Sequence, residues 1–335
     1  MNDMRKILSI ICLCLLAHLA HAQIGNEAYG FLRLPSSSHA NALGGYNVSI
    51  IEPDPALGFH NPALLGGEMD NMVNLNYLNY ISDINAGSAI YTKAFKERGT
   101  WGAGATFFSY GKIKEYSKEN EYIGDFSAKD IALQGFFSYD LSEKWRGGLS
   151  LKFLYSSMAE YHSMGLGVDA GLSYYDADKK LSFGFAFKNI GAQLKSYYDE
   201  RQKMPWDIQL GVSKQMAHAP IRFSLTAMYL NKWKLNYIDE SDKEYKGDSF
   251  GKTFLKHLVI GVDWLPSENL WIGVGYNPKR AMDMKLDGAN ALAGFSAGAG
   301  LHVKMFDVSA SVAKYHPSAL SFMISLSTSL SGFKL

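Results

Sequence analysis

Alternation of apolar residues with small or polar ones, repeated along most of the chain, constrains the fold more than any other feature. Between residues 164 and 174, for example, the even-numbered positions are apolar, and the odd-numbered ones are glycine, aspartate and serine. Successive side chains of a strand point to opposite faces, so this pattern gives a strand with one apolar face. About fourteen segments of roughly 8–12 residues show it, the length with which a tilted strand crosses a bilayer. They lie near residues 72–80, 84–93, 100–111, 129–140, 145–156, 164–175, 181–190, 206–216, 221–232, 257–264, 270–277, 294–304, 306–314 and 320–330.

The connections between these segments alternate in length. Short links lie at residues 93–99, 141–144, 176–180, 217–220 and 265–269, and longer ones at 112–128, 157–163, 191–205, 233–256 and 278–293. Short turns on one rim and long loops on the other are typical of outer-membrane barrels. All six tryptophans fall near predicted strand ends, where an aromatic girdle meets the membrane boundary. The sequence therefore predicts an all-β, antiparallel outer-membrane barrel of about 14 strands over residues 71–335, with both chain ends in the periplasm.

The N-terminal segment, residues 1–22, has the pattern of a secretory signal peptide. Arg5 and Lys6 precede an apolar run, and Ala20-His21-Ala22 predicts cleavage before Gln23. A membrane anchor is the alternative. The two cysteines, Cys12 and Cys14, both lie in this segment, so cleavage leaves no thiol for a disulfide, a zinc site or catalysis. We expect an exported protein in the outer membrane of a Gram-negative cell.

Residues 23–70 show no sustained alternation but are rich in apolar side chains. The run from Pro35 to Gly45 predicts a short helix, and residues 47–51 predict a short strand. Such a segment is too apolar to remain unfolded, so we expect a plug inside the barrel rather than a flexible periplasmic tail. Glycine pairs two residues apart within strands (102 and 104, 273 and 275, 298 and 300) would leave room for that plug.

Composition and motifs give no sign of an enzyme or of a nucleic-acid partner. The formal charge is only +1, from 33 basic and 32 acidic residues, so no electrostatic attraction to phosphate is expected. Ser109 and Ser249 begin Ser-x-x-Lys patterns, but the further motifs of penicillin-recognising enzymes are absent from the sequence. We expect no catalytic residues, no cofactor and no metal site.

Residues 28–84 resemble the PorQ family, outer-membrane barrels of the type IX secretion system. The resemblance is carried by the runs Ala28-Tyr29-Gly30-Phe31-Leu32-Arg33-Leu34-Pro35-Ser36-Ser37-Ser38, Ala42-Leu43-Gly44-Gly45, Asn47-Val48-Ser49, Asp54-Pro55-Ala56-Leu57, Asn61-Pro62-Ala63-Leu64-Leu65, Leu75-Asn76-Tyr77 and Ile81-Ser82-Asp83-Ile84. Related PorV barrels and FadL-like transporters share the general plan, and Asn61, Pro62 and Ala63 resemble an element of the transporters' N-terminal hatch.

The resemblance implies a non-enzymatic role in the attachment complex that processes secreted cargo and links it to lipopolysaccharide. A PorQ-like barrel would sit in outer-membrane lipid, anchor a surface-exposed PorZ-like protein and meet other subunits of the complex. Candidate partner-facing residues lie in the predicted long loops: Tyr116, Tyr122, Tyr197, Arg201, Tyr237, Asp239, Tyr245 and Arg280. The alternative is a FadL-like transporter of fatty acids or other hydrophobic compounds, which needs an apolar pocket between plug and wall and a lateral opening.

Overall fold

The computed structural model describes residues 27–198, 200–235, 248–284, 292–317 and 319–332. Within them, fourteen antiparallel strands form one closed barrel, because the last strand pairs with the first. The predicted fold class is therefore confirmed. The strands are β1 Met72–Ile81, β2 Ile84–Phe95, β3 Gly99–Tyr116, β4 Tyr122–Asp140, β5 Trp145–Met158, β6 Tyr161–Asp176, β7 Leu181–Lys195, β8 Asp207–Gln215, β9 Ile221–Ala227, β10 Leu258–Ser267, β11 Leu270–Tyr276, β12 Phe295–Val303, β13 Phe306–His316 and β14 Ala319–Ser329.

The two faces of the wall follow the alternation in the sequence. Outward positions carry large apolar side chains such as Leu133, Leu149 and Leu151, each more than half exposed. Inward positions are small or polar and buried, as Ser138 and Ser150 illustrate. Every backbone group within a closed ladder is paired inside the sheet, so such a wall is stable in lipid. This combination is that of a barrel embedded in a membrane.

The barrel has two different rims. The terminal rim is where β1 begins and β14 ends, and it carries the short turns such as residues 141–144. The opposite, loop rim carries the longer connections, including two helices, α2 Phe250–Lys256 and α3 Pro278–Asp283. Among the described residues, no helix has the length and apolar character to cross a membrane.

Two of the predicted long loops are strands instead. β3 continues to Tyr116 and β4 begins at Tyr122, so only residues 117–121 connect them. Likewise, residues 159–160 alone separate β5 from β6. Near the loop rim both faces of a hairpin contact water, so the apolar–polar alternation ends although the backbone ladder continues. The alternation therefore could not locate these strand ends.

The plug fills the barrel with short helical turns rather than with a sheet. Its helix α1, Ser38–Ala42, begins where the Ser37 side chain accepts a hydrogen bond from the Ala40 amide, and Gly44 and Gly45 follow with positive φ. The predicted helix is confirmed. The predicted strand at residues 47–51 is wrong. The amides of Ser49 and Ile50 donate to the Asn47 side-chain oxygen rather than to a neighbouring strand. Four 3-10 helices complete the plug: Gly30–Arg33, Pro55–Phe59, Pro62–Leu64 and Gly67–Met69.

The aromatic girdle is only partly as predicted. Trp101, Trp145 and Trp264 are exposed on the outer wall near the terminal rim, and Trp233 is exposed at the loop rim. Trp271, however, faces inward and stacks on the plug residue His39 with ring centroids 3.6 Å apart. An aromatic residue near a strand end can face either side of the wall, and here the plug's imidazole offers the better stacking partner.

The first described residue of the plug lies near the loop rim, and the predicted placement of both chain ends in the periplasm concerns residues outside the described ranges. Glu27 forms a bridge with Lys203, just before β8 begins at that rim. The Tyr29 hydroxyl hydrogen-bonds Ser163 near the same end of β6, at 2.7 Å. The plug then descends through the lumen to the terminal rim, where β1 starts. The strands nevertheless begin and end at the same rim, as an even strand number requires.

Candidate functional site

The motif Asn61-Pro62-Ala63 is the N-terminal cap of a buried turn in the plug. The Asn61 side-chain oxygen accepts from the Ala63 amide at 3.0 Å. Its NH2 group donates to the carbonyl oxygen of Val48 at 2.9 Å and to that of Leu172, on β6, at 3.4 Å. Pro62 fits the first helical position, where no amide donor is needed. The asparagine thus joins two parts of the plug to the barrel wall.

Glycines in the wall make room for the plug backbone. A Cβ on Gly171 would lie 1.9 Å from Asn61 Oδ1, and one on Gly148 would lie 2.3 Å from the Ala63 nitrogen. On other strands a Cβ on Gly184 would lie 1.8 Å from the Val48 oxygen, and one on Gly275 2.2 Å from the Gly44 nitrogen. No side chain fits at such distances, so plug and wall are matched backbone to backbone.

The glycine pairs singled out in the sequence contribute to the same fit. Added Cβ atoms would lie 2.9 Å from Phe59 at Gly104 and 2.8 Å from the Ala42 Cβ at Gly298. Gly300 differs, because its space is taken by Trp271 of the neighbouring strand. The prediction that strand glycines accommodate a plug is confirmed where the plug lies against them.

An ionic cluster holds α1 against the wall near the terminal rim. His39 lies between two carboxylates, with Glu52 Oε1 2.5 Å from Nδ1 and Asp263 Oδ1 2.8 Å from Nε2. Arg222 donates to the second Asp263 oxygen at 2.8 Å. Burial disfavours the imidazolium, but the Glu52 and Asp263 carboxylates outweigh it and raise the pKa of His39 to about 9. His39 is therefore a fixed cation at neutral pH, stacked on Trp271.

A second buried cluster lies on the inner faces of β5, β6 and β7. Lys152 and Lys188 both contact Asp169 Oδ2, at 2.7 and 2.8 Å, and Lys188 also donates to the Phe59 carbonyl of the plug. Burial, with the Lys188 charge, lowers the pKa of nearby His60 to about 3, so His60 is neutral. The cluster ties the plug to three strands. The apolar–polar alternation did not reveal this cluster, although a charge inside a membrane strand is by itself a signal for a lumen-facing position.

The plug also reaches the seam where the barrel closes. Asp54 accepts from Asn74 of β1 at 3.1 Å, and the Asn74 amide lies 3.0 Å from Ser325 Oγ and 2.7 Å from Ser327 Oγ of β14. Burial and the neighbouring Glu52 raise the pKa of Asp54 to about 6. One side chain therefore joins the plug to both strands of the closing pair.

The spaces left between plug and wall differ in size. A cavity of about 40 Å³ is bordered by the polar side chains of Lys152, Lys188, Gln134 and His60, and one of about 20 Å³ lies beside Phe31 and Met323. For comparison, a cavity needs about 10–15 Å³ of such space to hold one water molecule. An apolar concavity of about 510 Å³ lies on the outer wall. A third cavity, of about 190 Å³, lies near the terminal rim between the plug residues His39 and Glu52 and the wall residue Trp271. The cavities of about 40 and 20 Å³ cannot hold a long acyl chain.

The predicted partner-facing residues fall in different surroundings. Tyr116 and Tyr122 are exposed at the end of the β3–β4 hairpin, and Arg201 is exposed in the β7–β8 connection. Tyr197 instead donates to Ser156 on the wall. Arg280 contacts the plug, donating to the Gly44 carbonyl at 3.2 Å. Tyr237, Asp239 and Tyr245 lie outside the described residues.

These features define an outer-membrane β-barrel whose lumen is occupied by its own N-terminal plug. In the ranges that the structure covers, no group of three or more His, Cys, Asp or Glu side chains could hold a metal ion. No family model and no curated protein sequence matches the chain.

Solved structures of hydrophobic-compound channels share this fold. The Pseudomonas putida toluene transporter TodX is 13% identical, with a TM-score of 0.57 over 89% of this chain and 98% of its own. The monoaromatic hydrocarbon channel CymD is 14% identical, with a TM-score of 0.55 over 90% and 99%. A FadL homologue from Pseudomonas aeruginosa is 12% identical, with a TM-score of 0.51 over 88% and 98%. At such identities the likeness establishes the fold.

Proposed function

We propose that this chain is a non-enzymatic outer-membrane anchor of the type IX attachment complex, holding a surface-exposed PorZ-like partner. The observation that carries the proposal is the close fit of the plug. An added Cβ at Gly148, Gly171, Gly184 or Gly275 would lie 1.8–2.3 Å from a plug atom. The cavities of about 40 and 20 Å³ hold at most a few water molecules, and the cavity of about 190 Å³ is confined to the terminal rim. A lumen filled in this way suits an anchor better than a conduit.

The residues that resemble the PorQ family support the same role. Asn61, Pro62 and Ala63 are buried against the wall, and so are Ser37 and Ser38 at the start of α1. None of them lines an apolar pocket of ligand size. The resemblance therefore concerns how the plug is fixed, which is what a rigid support for a surface assembly requires.

The β3–β4 hairpin offers a docking surface at the loop rim. Pairing with β2 ends at Ser109 and pairing with β5 begins at Ala128, so residues 110–127 extend beyond both neighbouring strands. We call this segment the tip hairpin. Seven residues of β3 beyond Ser109 reach about 23 Å along the strand. Its free strand edges and its exposed Tyr116 and Tyr122 are suited to pairing with a β-rich partner.

The test is recovery of a partner with a tagged barrel from detergent-solubilised outer membranes. We expect one large β-protein in equimolar amount, which external protease removes from intact cells. A variant with residues 113–126 replaced by a two-residue turn should lose this partner and still form the barrel. Leu141→Ser, in a short turn on the opposite rim, is the matched control. Equal recovery with both variants would exclude the tip hairpin, and a barrel recovered alone would contradict the anchor role.

A second candidate is a channel for hydrophobic compounds, and the structural neighbours support it more than they support the anchor. TodX and CymD are described as a toluene transporter and a monoaromatic hydrocarbon channel, and they match nearly the whole fold. In this reading the plug must move, because none of the cavities of about 20, 40 and 190 Å³ between plug and wall is large enough for a long acyl chain. Uptake of radiolabelled toluene or oleate by cells with and without the barrel tests it. Barrel-dependent uptake with no partner recovered would favour the channel.

A further inference from the structure

One side of the barrel has strands that are short for a membrane wall. β8, β9, β10, β11 and β12 contain 9, 7, 10, 7 and 9 residues, whereas β3 and β4 contain 18 and 19. The seven residues of β9, tilted by about 40°, rise only about 18 Å, against an apolar band of about 25 Å on such barrels. About 7 Å of hydrocarbon would then lie beside the chain beyond the end of β9.

Exposed apolar side chains occupy this level of the molecule. They come from the β9–β10 connection and its helix α2, and we call them the apolar ridge: Trp233, Phe250, Phe254 and Leu255. Phe250 is 75% exposed, the highest value among the large apolar side chains of the described residues. The Trp233 and Phe250 rings are parallel at 6.1 Å, and Phe250 and Phe254 stack at 6.4 Å. The rings form a continuous surface that no other described part of the chain covers.

Contacts at the C-terminal end of α2 tie the helix to α3 and to the residue that follows β9, which directs the apolar ridge outward. Lys256 is buried and contacts Asp248 at 2.8 Å and Asp283 of α3 at 3.4 Å. His257, which ends the helix, accepts the Met228 amide on its carbonyl at 2.8 Å, one residue beyond β9. The ridge is therefore fixed directly above the short strand.

We propose that the apolar ridge is an interfacial lipid-binding element that completes the membrane-facing surface above β9. Aromatic and leucine side chains beside lysines are typical of segments that lie in a bilayer interface. Exposed Lys234 and Lys252 supply cations for anionic lipid headgroups. The ridge is continuous with the outward apolar residues of β9 and β10, such as Leu225 and Ile260. The inference concerns membrane seating alone and applies to both candidate functions.

A depth measurement tests the proposal. In a background with Cys12→Ser and Cys14→Ser, a single cysteine at position 250 carries an environment-sensitive fluorophore, and the barrel is reconstituted in vesicles containing anionic phospholipid. Leu225→Cys is the control for the lipid-facing wall, and Tyr116→Cys is the control for the aqueous tip hairpin. Phe254→Cys replaces Phe250→Cys if that variant does not fold.

We expect nitroxide lipids to quench the label at position 250 as strongly as at 225, and several-fold more than at 116. Aqueous iodide should instead quench the label at position 116 more strongly than the labels at positions 225 and 250. Iodide accessibility at 250 equal to that at 116 would overturn the proposal. If the label is accessible in vesicles but protected in native outer membranes that retain a surface partner, the ridge is a protein-docking surface and the lipid assignment is wrong.

Discussion

Substitution of Gly171 by alanine tests whether the plug is seated as tightly as the geometry indicates. The new Cβ would lie 1.9 Å from Asn61 Oδ1 and 3.2 Å from the Ala63 nitrogen, so the plug must shift. Overpacking of this kind lowers the free energy of unfolding by about 1–3 kcal/mol. Asn61→Ala removes three hydrogen bonds worth about 0.5–1.5 kcal/mol each, or about 1.5–4.5 kcal/mol in sum. In the double variant the clashing oxygen is gone, so the two costs do not add.

The assay is a double-mutant cycle by denaturant unfolding of the purified barrel, with ion conductance in planar bilayers as a measure of plug seating. We expect a coupling of about 1–3 kcal/mol between the two positions, because the added methyl group fits once Asn61 is shortened. Gly171→Ala alone should raise the conductance. Gly135→Ala is the matched control, since its Cβ would meet nothing within 4 Å.

Additive effects of the two substitutions would refute the direct contact between Asn61 and Gly171. If Gly171→Ala and Gly135→Ala have the same free energy of unfolding and the same low ion conductance, the plug is not packed tightly against Gly171. In that case the plug would have to be mobile at this position, and the argument for a sealed lumen would fail with it.

Two further perturbations address the ionic clusters. Asp169→Asn should lower the free energy of unfolding by about 3–5 kcal/mol, because it leaves buried Lys152 and Lys188 without a counter-charge. Substitution of the exposed Asp178 by asparagine is the control. Equal melting temperatures of the two variants would contradict the pairing. His39 has its pKa raised to about 9, so its stabilisation is complete below about pH 6.5 and is lost as the pH rises through 9. In the unmodified barrel the free energy of unfolding should therefore fall by about 3 kcal/mol between pH 6.5 and 9, and His39→Gln should abolish this fall. If the free energy of unfolding of the variant depends on alkaline pH as before, the imidazole is not charged.

The strands could be predicted from the sequence because the bilayer forces apolar side chains onto one face. Where strands extend beyond the bilayer this constraint is absent, and the sequence does not predict the strand ends. The upper parts of β3 and β4 are paired by backbone hydrogen bonds, which leave no hydrophobic pattern in the sequence. Trp271 is a similar case. Its position near a strand end could be predicted from the sequence, but the face of the wall that it occupies depends on stacking with His39.

The plug site was predictable in part. Buried glycines and the Asn61-Pro62-Ala63 cap could be recognised, because close backbone approach and capping require particular residue types. The pairing of His39 with Asp263, which are 224 positions apart, depends on how the barrel closes around the plug. No local pattern encodes such a contact. Asp169, Lys152 and Lys188 carried a readable signal as charges within apolar strands, but not the identity of their partners.

The link from Asp54 through Asn74 to Ser325 and Ser327 has a consequence for biogenesis. β14 is the last strand to be synthesised, and it closes the cylinder by pairing with β1. Because the plug contacts glycines on both sides of the lumen, we expect it to be in place before that seam forms. Asn74 would then offer its amide to the incoming strand while bound to the plug. Closure is thereby coupled to correct filling, so that an empty, leaky cylinder is disfavoured during insertion.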